Sequence, residues 1–220
     1  MQTFIVRVWL PDRPGALGAV ASRIGAVRGD VVGIDILERG ADMAVDELVV
    51  VLPNESVVGL LVSEIGEVDG VHVEDVRPAN GDLDARLDAL DTAAMLVASL
   101  TPSALVQELV ASARRIFEAE WAAAVHVDDR LLVAAEGSPP PPAWLAAFVA
   151  GSRSSTHVAA GDCGPEDTAW AVLEGTPMAI VLGRCGRPFR ARERRQLASL
   201  ARIAGLRANE LTIAAVAAPA

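Results

Sequence analysis

Three histidines and two cysteines are the side chains of this sequence best suited to proton transfer or nucleophilic attack: His72, His126, His157, Cys163 and Cys185. Their spacing assembles no reaction centre. A zincin helix needs H-E-x-x-H, an acyl-transfer serine G-x-S-x-G, a dinucleotide site G-x-G-x-x-G and a redox or zinc site C-x-x-C, and none of these strings occurs. All 19 basic residues are arginine and tyrosine is absent. A Schiff-base lysine, a P-loop lysine and a tyrosine acid are therefore excluded. Cys163 and Cys185 lack metal-type spacing and read as free thiols rather than a disulfide. The expectation is a non-catalytic chain with no metal and no cofactor.

Chemistry of a weaker kind, the holding of a small ligand, is offered by Pro11-Asp12-Arg13-Pro14-Gly15. Glycine lets a ligand approach the backbone, free N–H groups at a helix start attract a carboxylate, and Asp12 could take an ammonium. The same residue types also serve plain structure, with Asp12 as a helix cap and Pro14-Gly15 as a tight strand-to-helix turn.

The elements around this loop follow from apolar spacing. Phe4, Val6 and Val8 alternate as in a strand, and Leu17, Val20, Ala21 and Ile24 then fall at helical intervals, with Gly29 just past the helix end. Val31–Leu37 and Met43–Leu52 are β-branched runs joined by a glycine-containing turn. Val58, Leu61, Val62 and Ile65 repeat the helical stripe, and Val71, Val73 and Val76 close with a strand. The order β-α-β-β-α-β predicts a ferredoxin-like antiparallel sheet with both helices on one face. Its other face then needs a cover, from a second copy or another domain.

With Asp12-Arg13-Pro14-Gly15-Ala16-Leu17 between the first strand and first helix, residues 1–78 resemble the ACT family. The resemblance implies a regulatory module that dimerises and binds a small effector, often an amino acid, between this loop and the second strand of a neighbouring copy. It implies ligand contacts from Asp12, Arg13, Pro14, Gly15, Ala16 and Leu17, with Val31, Val32 and Gly33. Serine-binding members carry a histidine where this chain has Leu10 and an asparagine where it has Val31, so two polar anchors are missing.

Residues 79–82 have linker composition. Leu83, Leu87, Leu90, Ala94 and Val97 then follow at alternating intervals of four and three, a heptad-like seam suited either to a dimer contact or to packing on the chain's own sheet. A helix with Val106, Leu109, Val110, Ala113 and Phe117 comes next, then a hairpin of Trp121–Val127 and Leu131–Ala135. A helix around Trp144–Val149, strands Asp167–Leu173 and Met178–Leu182, and a helix from about Arg190 to Glu210 complete the pattern. With the strand Glu120-Trp121-Ala122-Ala123-Ala124-Val125 and the closing segment Pro188-Phe189-Arg190-Ala191-Arg192-Glu193-Arg194-Arg195-Gln196-Leu197, residues 83–211 resemble a GAF domain, followed by a tail at 212–220. The resemblance implies a central antiparallel sheet flanked by helices and a sensory or dimerising role. The N-K-F-D-E motif of cyclic-nucleotide binders is absent, and neither cysteine suits bilin attachment.

The length of 220 residues fits two such α+β domains, and 52% hydrophobic residues fit a folded chain. Residues 1–80 carry 6 arginines against 13 acids, which repels phosphate, so no nucleic-acid partner is expected. The arginines at 184, 187, 190, 192, 194 and 195 could meet an acidic partner, though such a run is also an ordinary solvated helix face. No membrane partner is expected, and without a signal-like start the location reads as cytoplasmic. The whole reads as a homodimeric regulator that signals a small-molecule effector through its second domain. The alternative is a dimeric scaffold that binds a protein partner and takes no small ligand.

Overall fold

The computed structural model describes residues 1–40, 42–79, 85–155 and 166–217. The chain divides into two compact units, Met1–Leu83 and Asp84–Ala220. Among the described residues these hold two four-stranded antiparallel sheets and six α-helices. No helix among them is long and apolar enough to cross a membrane.

In the first unit β1 (Gln2–Pro11) pairs with β3 (Met43–Leu52) on one side and β4 (His72–Pro78) on the other, and β2 (Asp30–Arg39) adds to β3. The sheet order is β2-β3-β1-β4. Alternation decides what faces what: Phe4, Val6, Val8 and Leu10 share a buried cluster with Ala44, Leu48, Val50 and Leu52. Into it α1 (Ala16–Ala26) inserts Ala16, Val20 and Ile24, and α2 (Val58–Gly66) inserts Leu61 and Ile65. Gly29 does not cap α1 by its conformation; Arg28 takes the left-handed position at φ 61°. Glycine is needed at 29 for space, since a Cβ there would stand 2.8 Å from Ile24 Cγ2.

The other face of this sheet is charged. Arg7, 1% exposed, donates from Nε and Nη2 to Glu47 Oε1 at 3.0 and 2.8 Å. Arg77 donates to the same oxygen at 2.8 Å and to Asp75 at 2.9 Å, while Trp9 Nε1 donates to Glu74 at 3.0 Å. Beyond β4, the Ala79 N–H still donates to Thr3 O. Residues 80–82 of the expected linker lie outside the described residues.

The second unit opens with α3 (Ala85–Ala98) and α4 (Pro102–Ile116), the latter capped by Thr101 Oγ1 and started by proline. Strands β5 (Trp121–His126), β6 (Leu131–Glu136), β7 (Thr168–Val172) and β8 (Met178–Gly183) form a sheet of order β6-β5-β8-β7. One face, with Ala122, Ala124, Ile180 and Leu182, is buried against α4 and α6 (Ala191–Ala217). The other, with Ala123, Val125, Ala179 and Val181, meets Leu145, Ala146 and Val149 of α5 (Pro142–Ser154). Alanines on the central strand let both helical layers come close. Gly183 must lack a side chain, because a Cβ would stand 2.2 Å from the Trp121 indole. The last helix passes Glu210 and ends at Ala217, so residues 212–217 are helix rather than tail. Leu211–Ala217 contains neither glycine nor proline to stop it.

Arg184 joins the loop after β8 to the rest of this unit. Its guanidinium donates to the carbonyls of Phe117, Arg187 and Pro188 and, from Nη2, to both oxygens of Glu193 at 2.7 and 2.9 Å. It also lies 3.9 Å over the Phe189 ring. Glu193 in turn accepts the Arg190 N–H at 2.8 Å, the return half of a capping box that starts α6. Lysine keeps the charge but cannot reproduce the planar fork. Arg184→Lys is expected to destabilise the second unit by about 3 kcal/mol, the scale for breaking a buried charged pair, read as a lower midpoint in urea unfolding. An unchanged midpoint would show that the network does not hold this unit together.

Candidate functional site

The turn after β1 places the first group of expected ligand residues. Gly15 is the N-cap of α1 at φ 90°, ψ −17°, a conformation that favours glycine, and no side chain caps the helix. Asp12 is not the cap: it is exposed in the loop, and its N–H donates to Asp42 O at 3.0 Å. The main chain thus pins the loop to the β2–β3 connection. Arg13 is exposed with a loose 3.9 Å approach to Asp69, Pro14 and Gly15 are exposed, Ala16 is buried and Leu17 half-buried. The Ala16 N–H donates to Arg13 O at 3.3 Å, the start of α1 has no side-chain cap, and the positive end of the helix dipole lies there.

The second group does not join the first within one chain. Val31 is paired with Val50 and Gly33 with Val49, at the end of the sheet where β1 begins. The loop stands at the other end, where Leu10 faces Ala44 and Arg39 closes β2. The separation is roughly six residues of strand, about 20 Å. Val31 is partly buried against the core, Val32 exposed and Gly33 half-buried in a β-bulge. A site using both groups needs Val31–Gly33 from a second chain.

One residue near the loop escaped the sequence reading. Asp46 lies opposite Val8 and Ile36, on the helix-bearing face of the sheet, and is only 4% exposed. Its Oδ1 has no hydrogen-bond partner. Burial pushes the Asp46 carboxyl above its ordinary range; Arg39 opposes the shift and Asp12 adds to it. Asp46 and Asp12 therefore share one field at the loop end of the sheet. The available signal was the lone acid at an inward position of Ala44-x-Asp46-x-Leu48-x-Val50.

The other candidates are placed differently. His72 is exposed, and His126 ends β5 with Nδ1 3.2 Å from the Asp129 carboxylate. Cys185 is exposed, and its N–H donates to Glu120 Oε1. His157 and Cys163 lie outside the described residues. Among the described residues no group of three or more histidines, cysteines or acids could hold a metal ion. An open trough of about 490 Å³ runs between α4 and β6, where Glu108 accepts from Ser112 and Glu136 pairs with Arg114. The arginine run is not one solvated face: Arg184 pairs with Glu193, Arg187 with Glu118, and Arg194 donates to Thr168 O.

No family model and no curated protein matches the chain. Among solved structures, the GAF domain of a protein assigned as a sensor histidine kinase from Pseudomonas syringae pv. tomato is 18% identical, with a TM-score of 0.36 over 60% of this chain and 92% of its own. A protein of unknown function from Galdieria sulphuraria is 14% identical, with a TM-score of 0.32 over 92% of this chain and 91% of its own. Both likenesses are too distant to assign a role, which rests on the residues themselves.

Two adjacent acids on opposite faces of β3 titrate in opposite senses. Burial alone would raise the Glu47 carboxyl, but the charges and hydrogen bonds of Arg7 and Arg77 outweigh it and hold Glu47 below its usual range. Glu47 therefore stabilises the fold at neutral pH, and that contribution is lost as pH falls through its depressed pKa. Asp46 has the opposite sign: its charged form opposes folding, and protonation relieves this as pH falls through its raised pKa. Asp46→Asn is expected to raise Tm at pH 7, with the gain fading in acid. Glu47→Gln is expected to cost about 3 kcal/mol at pH 7, less as pH drops. Thermal unfolding from pH 3 to 8 checks both, and parallel curves for either variant against wild type would refute its assignment.

Proposed function

We propose that the chain is a non-catalytic regulatory protein whose first unit is an ACT-like module that binds a zwitterionic effector of the amino-acid class. The loop of one chain faces Val31–Gly33 of a second. The strand order β2-β3-β1-β4 with both helices packed on one face supports the ACT-like reading. The second unit, a sheet between helical layers, supports a GAF-like reading and serves as the route by which occupancy reaches a protein partner. The observation that carries the ligand class is the pairing of opposite fields at one end of the sheet: a helix start without a side-chain cap, suited to a carboxylate, and a buried Asp46 whose Oδ1 lacks a hydrogen-bond partner, in the field of Asp12, suited to an ammonium.

A second reading, the dimeric scaffold without a small ligand, is favoured by one observation. Leu10 and Val31 both turn into the core, so neither position offers the ligand a side-chain anchor.

Calorimetric titration of the full chain with the twenty amino acids, and with matched amines and carboxylates that lack one charged end, separates the two. The expected result is saturable binding of a zwitterion, weakened tenfold or more by loss of either charged end and by Asp46→Asn. Gly15→Ala should abolish it, since alanine resists the left-handed conformation of the loop. Heat from none of the probes, with a folded dimeric chain, leaves the scaffold standing and ends the effector reading.

A further inference from the structure

Strand β6 ends the second sheet on one side. It pairs with β5 alone, so the main-chain N–H and C=O groups along its outer edge face away from the sheet, and no strand among the described residues takes them. Folded chains blunt such an edge with proline, charge, a bulge or a covering element. Leu131–Glu136 has no proline and no charge before its last residue. Its one device is the register shift opposite Ala124 and Val125, and Leu131, Leu132 and Val133 stay 60%, 43% and 43% exposed.

Beside this edge runs the trough of about 490 Å³, with Ala104, Glu108 and Ala111 in one stripe on α4 and Val133, Ala134 and Glu136 on the strand. Alanine at 104, 111 and 134 keeps it open. A groove between a free strand edge and a helix suits an extended peptide that adds a strand: main-chain bonds supply affinity, and alternate side chains supply selection. Ala104 and Glu108 stand about one helical turn apart, about 6 Å. That matches alternate side chains on one face of a strand, about 7 Å apart.

The charge of the lining selects the occupant. Glu136 is answered by Arg114 at 3.4 Å, whereas Glu108 accepts from the Ser112 hydroxyl and pairs with no arginine or histidine among the described residues. A second copy laid antiparallel along the edge would bring its own Glu108 and Glu136 to the same groove. It would also set bulge against bulge, because the two-fold axis of six paired residues falls between Val133 and Ala134. A segment bearing lysine or arginine meets the groove with opposite charge.

We propose that the outer edge of β6 and the trough beside α4 form a docking groove for an extended basic segment of a partner protein. The segment adds to the sheet as a fifth strand, with an apolar residue over Ala104 and a lysine or arginine, two positions away, at Glu108. The proposal rests on the reading of the second unit as the side that meets a protein partner, and it uses no residue of the effector site.

Selection of a displayed random-decapeptide library on the full chain supplies the probe, and enriched peptides are labelled and titrated by fluorescence anisotropy. They should share a basic residue two positions from an apolar one. N-methylation at alternate residues of one parity should abolish binding and of the other parity spare it, since only alternate N–H groups of an added strand point at β6. Glu108→Arg, with circular dichroism matching the parent, should weaken binding about tenfold or more, and a peptide with glutamate in place of its basic residue should bind that variant again. Peptides that bind but are indifferent to Glu108→Arg, or to the parity of N-methylation, overturn the groove and leave the second unit a partner surface elsewhere. Enrichment of no peptide also overturns it, and a dimer that Val133→Lys then converts to monomer in sedimentation gives the edge to a second copy. Peptide affinity at Glu108 that is equal with and without saturating amino acid upholds the groove and ends its part in relaying an effector.

Discussion

The first unit depends on one reversal of direction. Strand β1 is central, hydrogen-bonded to β3 and β4, so it cannot yield in register; yet the chain must leave it at Pro11 and begin α1 at Ala16 with Ala16 and Val20 already facing the sheet. Only four residues are available for the turn. Gly15 supplies the left-handed step, Pro14 fixes the dihedral before it, and the Asp12 N–H is held by the Asp42 carbonyl. The cost of this geometry is an N-terminus without a side-chain cap. That gap leaves the positive end of the helix dipole at the loop without a side-chain acceptor, so the candidate site is a by-product of how tightly the helix is brought back onto the sheet.

The two units solve the problem of a two-faced sheet in different ways. The second covers both faces with helices, made possible by alanines at 122, 123 and 124 on its central strand. The first packs its two helices on one face and carries the Arg7–Glu47–Arg77 network on the other. Ion pairs of this burial add little net stability against an apolar equivalent, because desolvation offsets attraction. They do fix register: a slip of one residue in β3 would turn Glu47 to the helix side and leave Arg7 buried without it. Arg184 plays the corresponding part in the second unit, gathering carbonyls from two loops and starting the last helix through Glu193.

Element order and type were legible because period-2 and period-3.6 stripes are long here and interrupted by Pro-Gly and Gly-Asp turns. The loop at Asp12–Gly15 was legible too, but its roles were not. Asp12 had the right chemistry for a cap, and the choice of Gly15 depends on a dihedral that composition does not encode. Asp46 sits in a β-branched run beside a second acid, Glu47, and adjacent acids on a strand do not show which one is buried, although the parity shared with Ala44, Leu48 and Val50 places Asp46 inward. The arginines after 183 looked like one patch since sequence shows charge without partners; Glu118 and Glu193 lie 69 and 9 residues from theirs. Leu90 and Val97 turn outward, because Thr92 and Leu96 take the inward side of α3 and Asp88 pairs with Arg115 of α4; sequence spacing shows the stripe without saying which side the unit claims.

The proposed ligand site requires two chains, and that imposes a thermodynamic condition. A ligand held between the loop of one chain and Val31–Gly33 of another binds the paired state alone, so saturation must strengthen pairing by the same factor by which pairing strengthens ligand binding. Strong pairing in the absence of ligand would leave little for the effector to do, because the chains would be paired with or without it. Weak pairing keeps the equilibrium near balance, where a modest differential affinity produces the largest change in population.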